Sequence, residues 1–165
     1  MDVETELSIH TNFINELNNI DEHVKKYILG LIDGIKSKNR TVQQLKTYYI
    51  DEFDIVIKDV WNLGKEMTKI DKSVKNIMEP IKCIEPDLTF ETWSHHFTLL
   101  DSVSSGLAFI VATNELLKPF SSRLFNLMSL YTHICTSLSN LSRLDKETFT
   151  QLAVLNDRIN VFLKK

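Results

Sequence analysis

VIKDVWNLGKEMTKIDKSVKNI, residues 56–77, decides the fold. Its apolar residues Val56, Val60, Leu63, Met67, Ile70, Val74 and Ile77 are spaced 4, 3, 4, 3, 4, 3. An α-helix turns once in about 3.6 residues, so this spacing returns each side chain to one seam and suits knobs-into-holes packing against a neighbouring helix. Outward from this stretch the helix is predicted to run from Thr41 to Glu79. Thr41 and Gln44 have the spacing of a capping box, and Pro80 disfavours helical geometry in the residue before it. At about 1.5 Å per residue such a helix is roughly 60 Å long, which predicts an elongated molecule.

Upstream, Lys36-Ser37-Lys38-Asn39-Arg40 reads as a short polar connector that turns the chain back antiparallel. A first helix is expected over Val3–Lys36, with Phe13, Leu17, Ile20, Val24, Tyr27 and Leu31 on its seam and Ile14, Ile28, Ile32 and Ile35 widening it. Gly30 and Gly34, four residues apart, imply a close helix crossing or a softened last turn. Downstream, Pro80–Asp87 reads as a loop, and Asp87 or Thr89 as the cap of a third helix carrying Phe90, Trp93, Phe97, Leu100, Val103, Leu107, Ile110 and Leu117. Pro119 interrupts that pattern, which resumes as Phe120, Leu124, Leu127, Tyr131, Ile134, Leu138 and Leu141. Either Pro119 kinks one long helix or it sits near the first turn of a fourth. Asp145 is the expected cap of a last helix bearing Phe149, Leu152, Leu155, Ile159 and Phe162.

The fold class is therefore all-α: an elongated, mostly antiparallel bundle of four to five helices with coiled-coil-like packing, in a single domain over residues 1–165. Four Gly and three Pro leave little turn chemistry for a many-stranded β fold. With 43% hydrophobic and 25% charged residues, the composition is that of a folded protein and argues against disorder.

A net charge of −3 is too mild to imply a nucleic-acid partner. Asp2 to Glu22 holds six acids and no Lys or Arg, while Lys25 to Arg40 holds five basic residues and one acid, a distribution that matches the helix dipole. Lys58, Lys65, Lys69 and Lys72 make a basic stripe, but Asp59, Glu66 and Asp71 interleave with it, as on a solvated face. The acidic opening MDVETELSIH has no secretory pattern, the run Gly106–Ala112 is too short to span a bilayer, and the sequons at Asn39 and Asn140 are read as chance. Cys83 and Cys135 are expected to be separate thiols. Residence in the cytoplasm of its own cell or of a host cell is the expectation.

Chemistry-bearing motifs are weak. Glu91 and His95 are four apart with His96 adjacent, yet zinc needs three or four ligands, and His133 and Cys135 point to different helix faces. No Glu-x-x-His or Gly-rich phosphate loop occurs, and Cys135 lies among apolar neighbours. Neither enzyme activity, nor a cofactor, nor a metal is expected. The distinguishing regional feature is charge poverty: from Thr92 to Ser142 only Asp101, Glu115, Lys118 and Arg123 are charged.

That stretch is either the centre of the bundle or a surface covered by another chain. The leading expectation is a non-enzymatic interaction protein, a helical adaptor or a subunit of a larger helical assembly, homo- or hetero-oligomeric. Its partner-binding residues are expected to be Tyr48, Phe53 and Trp61, large aromatics off the strict seam, together with Leu107, Phe109 and Phe125 from the charge-poor stretch. The alternative is a membrane-acting protein of the pore-forming kind that uses residues 92–142.

Overall fold

The computed structural model describes residues 2–17, 20–83 and 88–163, with Cys83, Phe162 and Leu163 described by backbone alone. Among the described residues there are five α-helices and no strand: α1 (Val3–Glu16), α2 (Glu22–Thr68), α3 (Val74–Met78), α4 (Trp93–Thr113) and α5 (Ser121–Leu163). Short 3-10 helices occupy Glu79–Cys83 and Glu115–Phe120. The fold is all-α. The chain divides into two compact units, and the divisions fall inside α2 and α5.

The first unit comprises residues 1–45 and 140–165. The expected helix Val3–Lys36 is here two helices. Leu17 is extended, and the Asp21 carboxylate accepts from the His23 amide at 2.8 Å and the Val24 amide at 3.4 Å, the work of an N-cap. Conversely, the expected connector at residues 36–40 is helical. Polar composition resembled a loop, but no Gly or Pro breaks the ladder, and the Thr41 hydroxyl donates back to the Ser37 carbonyl instead of capping. α1 thus runs back along α2: Arg40 bonds Glu4 at 3.1 Å and Lys25 reaches the Asn15 carbonyl. Asn39 is buried, so its sequon is not presented to solvent.

The core face of this unit is centred on the widening set, with Leu17, Ile20, Val24 and Leu31 of the expected seam half-buried against it. Ile14, Ile28, Ile32 and Ile35 are buried with Val3, Leu7, Leu152, Leu155 and Ile159, whereas Phe13 and Tyr27 are exposed. Asp145 caps nothing, because α5 passes through it unbroken, braced by an Arg143–Glu147 pair one turn apart. Phe162 as a core residue lies outside the described side chains.

The second unit comprises residues 46–139. Val56, Val60, Leu63 and Met67 are buried as the spacing requires, against Leu100, Val103 and Leu107 of α4 and Leu124, Tyr131, Ile134 and Leu138 of α5. The predicted helix to Glu79 stops instead at Thr68. Ile70, on the arithmetic seam, falls in the break and is exposed, and Val74 regains the core on α3. The break is held by Asp71, whose carboxylate accepts from the Ser73 amide at 3.0 Å, the Ser73 hydroxyl at 2.6 Å and the Asn114 side-chain amide at 3.0 Å. Asn114 in turn accepts from the Leu116 amide at 3.0 Å and ends α4. Pro119 therefore sits inside a 3-10 turn that leads directly into α5, where its missing N–H costs little. The expected cap at Asp87 lies outside the described residues; α4 begins after Thr92, which forms a turn with Thr89.

Glycine usage separates the units. A Cβ on Gly30 or Gly34 would meet nothing within 4 Å, so neither supports the expected close crossing. A Cβ on Gly106 would lie 2.6 Å from Ile77 Cγ2, and one on Gly64 would strike the Met78 side chain, so these two glycines admit α3 to the core. Gly30→Ala and Gly34→Ala should each stabilise the protein by up to about 1 kcal/mol, the helix-propensity difference. Gly106→Ala should cost about 1–3 kcal/mol because β-branched Ile77 has little freedom to yield. Urea unfolding of the three variants measures both signs.

Hydrogen bonds from the Ser73 hydroxyl, the Asn114 amide and the Ser73 backbone hold the Asp71 carboxyl below the ordinary aspartate value of 3.8. A carboxyl depressed in the native state binds its proton more readily when unfolded, so its contribution is complete above 3.8 and is lost as pH falls through the native value. The urea-midpoint gap between wild type and Asp71→Asn should be flat from about pH 7 to about pH 5 and shrink in stronger acid.

Candidate functional site

The six residues expected to meet a partner separate by position. Phe53 is inward on α2 and Leu107 inward on α4, both fully buried in the second unit's core, so they hold the fold and are not available as anchors. Tyr48 is exposed on α2 and packs edge-on against Tyr49 with ring centroids 5.1 Å apart. Phe109 and Phe125 are 66% and 52% exposed, close to the ends of α4 and α5 that meet at the 3-10 turn. Between them in sequence stands Leu116, 70% exposed, which sequence reasoning missed because it lies in the turn, where no helical period applies. Three large apolar side chains thus stand in solvent around one chain reversal. The buried counterparts that make the reversal possible are Val111, Leu117 and Leu124.

Helix α4 carries a second peculiarity. By length and composition it is the one described helix apolar enough to cross a membrane, a property hidden by counting only the unbroken run Gly106–Ala112, yet only 33% of its apolar window is buried. It also buries His96, neither of whose ring nitrogens has a hydrogen-bond partner among the described residues.

Trp61 is half-buried and lies between two adjacent cavities of the second unit. One, of about 340 Å³, is lined by Trp61, Lys65, Lys75, Met78 and Glu79 among others. The other, of about 450 Å³, is lined by Ile57, Lys58, Trp61, Ile81 and Lys82. The Lys65 ammonium stands 5.0 Å from the Trp61 ring centroid, within cation–π range. Lys58 and Lys65 belong to the sequence-visible stripe. Lys75 and Lys82 arrive from α3 and the following turn, and no spacing along α2 could have found them.

The remaining candidates are dispersed. Among the described residues no group of three or more His, Cys, Asp and Glu side chains is placed to hold a metal ion; His95 is exposed, His96 is buried, and their ring centroids are 5.7 Å apart. Burial, aided by the Asp101 charge, pushes the Cys135 thiol up to about 12, which keeps it protonated at neutral pH. Burial likewise pushes the Tyr131 phenol up to about 12, and its hydroxyl donates to Asp101 at 2.9 Å. In the first unit a groove of about 400 Å³ runs between α2 and α5, floored by Leu31, Ile35 and Leu155 and open where Gly30 and Gly34 lack side chains.

Comparison with protein-family models, curated proteins and solved structures returns no match.

Phe53→Ala should cost about 3–5 kcal/mol of folding stability, as an aromatic removed from a core does, whereas Tyr48→Ala should change it by less than about 0.5 kcal/mol. Parallel urea melts separate the interior residue from the surface one.

Proposed function

We propose that the protein is a non-enzymatic interaction module, a helical adaptor or subunit of a larger helical or coiled-coil assembly in the cytoplasm of its own or a host cell. The observation that carries this reading is the exposure of Phe109, Leu116 and Phe125 around the α4–α5 reversal. Large apolar side chains held in water close to one another along the chain are candidates for later exclusion of water, and aromatic residues dominate the energetics of interfaces. The partner is a protein, either another copy or a different chain.

Light scattering on the protein eluting from a sizing column tests the proposal. A species heavier than the 19.1 kDa chain, or insolubility without a partner, is expected. Combined Phe109→Ser, Leu116→Ser and Phe125→Ser should return a soluble monomer with unchanged helix content; loss of each anchor costs about 2 kcal/mol of association. A soluble wild-type monomer that the triple substitution leaves unaltered overturns the assignment of this surface.

The second reading, a pore-forming type of membrane action, is favoured by α4 alone, which is apolar enough to cross and has one-third of its apolar window buried. In that case the protein should release dye from liposomes, which an adaptor does not do.

A further inference from the structure

We propose that the two cavities flanking Trp61 form one recognition site for an acidic peptide segment of a protein partner, with Trp61 between two apolar grooves and Lys65 and Lys75, flanked by the acid-paired Lys58 and Lys82, receiving carboxylates. This deepens the interaction reading by naming a partner class, and rests on it only in taking the partner to be a protein.

The site is assembled from three elements. Lys58, Trp61 and Lys65 come from α2, Lys75 and Met78 from α3, and Ile81 and Lys82 from the turn after it. Its apolar floor is recessed: Ile57, Met78 and Ile81 are all nearly inaccessible. Half-open grooves of 340 and 450 Å³ are within the size range of ligand pockets. Four lysines and one acid, Glu79, line them. Glu79 is engaged by Lys82 at 3.1 Å, and Asp54 outside the cavities engages Lys58 at 2.9 Å. Lys65 stands over the tryptophan ring. In a chain of net charge −3 this is a local excess of positive charge around an aromatic wall, complementary to an acidic segment carrying apolar anchors.

Other anionic partners fit less well. An anionic bilayer is met by apolar groups that protrude, and here they are recessed between the lysines. Single-stranded nucleic acid stacks successive bases on open aromatic faces, whereas this site has one indole, shared with Lys65.

Fluorescence anisotropy of a labelled peptide, acetyl-Glu-Glu-Leu-Phe-Glu-Glu-Leu-amide, titrated with the full chain is the test. Saturable binding is expected, with affinity falling as salt is raised. Lys65→Glu with Lys75→Glu, both exposed positions, should weaken it about tenfold while circular dichroism is unchanged. Trp61→Phe should retain most of the affinity and Trp61→Ala lose it. The same peptide with every Glu replaced by Lys should not bind. No saturable binding up to about 1 mM overturns the proposal, as does indifference to the double charge reversal or equal binding of the lysine peptide. Binding of phosphatidylserine vesicles or a single-stranded oligonucleotide without the acidic peptide assigns the site elsewhere and equally overturns it. None of these variants touches the Phe109–Phe125 stretch, so failure here leaves the oligomer measurement standing, and the reverse.

Discussion

The second unit depends on one apolar seam of α2 being covered from two directions. Val56, Val60, Leu63 and Met67 offer a stripe about one residue wide, too narrow for a helix to be stable by itself in water, and α4 and α5 bury it together. Each such side chain removed from water contributes about 1.5–3 kcal/mol, so the stripe outweighs any local capping term. Everything else in the unit follows from keeping those helices in register. Gly64 and Gly106 let α3 approach, and the Asp71–Asn114 pair fixes where the chain leaves α2 and α4.

That hierarchy explains what could be read in advance. The seams of α2, α4 and α5 in this unit were legible because burial obeys the helical period. Helix ends were not, because they are set by single polar side chains competing with a continuing pattern. Met67, Ile70 and Val74 keep perfect heptad spacing across a break that Asp71 imposes, and only the exposure of Ile70 betrays it. Residues 36–40 erred in the opposite sense, as polar residues with no breaker stay helical. In the first unit the seam was displaced by one position, since Ile28, Ile32 and Ile35 of α2 bury a wider, differently centred face than a two-helix heptad predicts.

The site residues were legible to the extent that they obey the opposite rule. A large apolar residue off the seam is expected outside, and Tyr48, Phe109 and Phe125 are. Phe53 and Leu107 are inside because both lie on seams: Phe53 stands three residues before Val56 and seven before Val60, so it continues the α2 stripe upstream. Leu107 was always a seam residue of α4, and only the lack of charge around it made it resemble an interface. Charge poverty does not distinguish a core from an unfinished surface; exposure does, and it divides the same stretch between Leu107 and Phe109.

Lysines near Trp61 show a third kind of legibility. Along α2 alone, Lys58 and Lys65 alternate with acids and look like an ordinary solvated face. Folding changes that balance because α3 and the next turn bring Lys75 and Lys82 to the same indole while contributing Glu79 alone as an acid to the lining. Charge that is neutralised along a sequence can be concentrated in space, since potential depends on distance between charges and not on their separation in the chain. The break at Asp71 is what allows α3 to return alongside α2 and bring its lysine to Trp61. A helix continuing to Glu79, as the heptads predicted, would have carried Lys75 and Lys82 away from the indole and left it an ordinary half-covered aromatic.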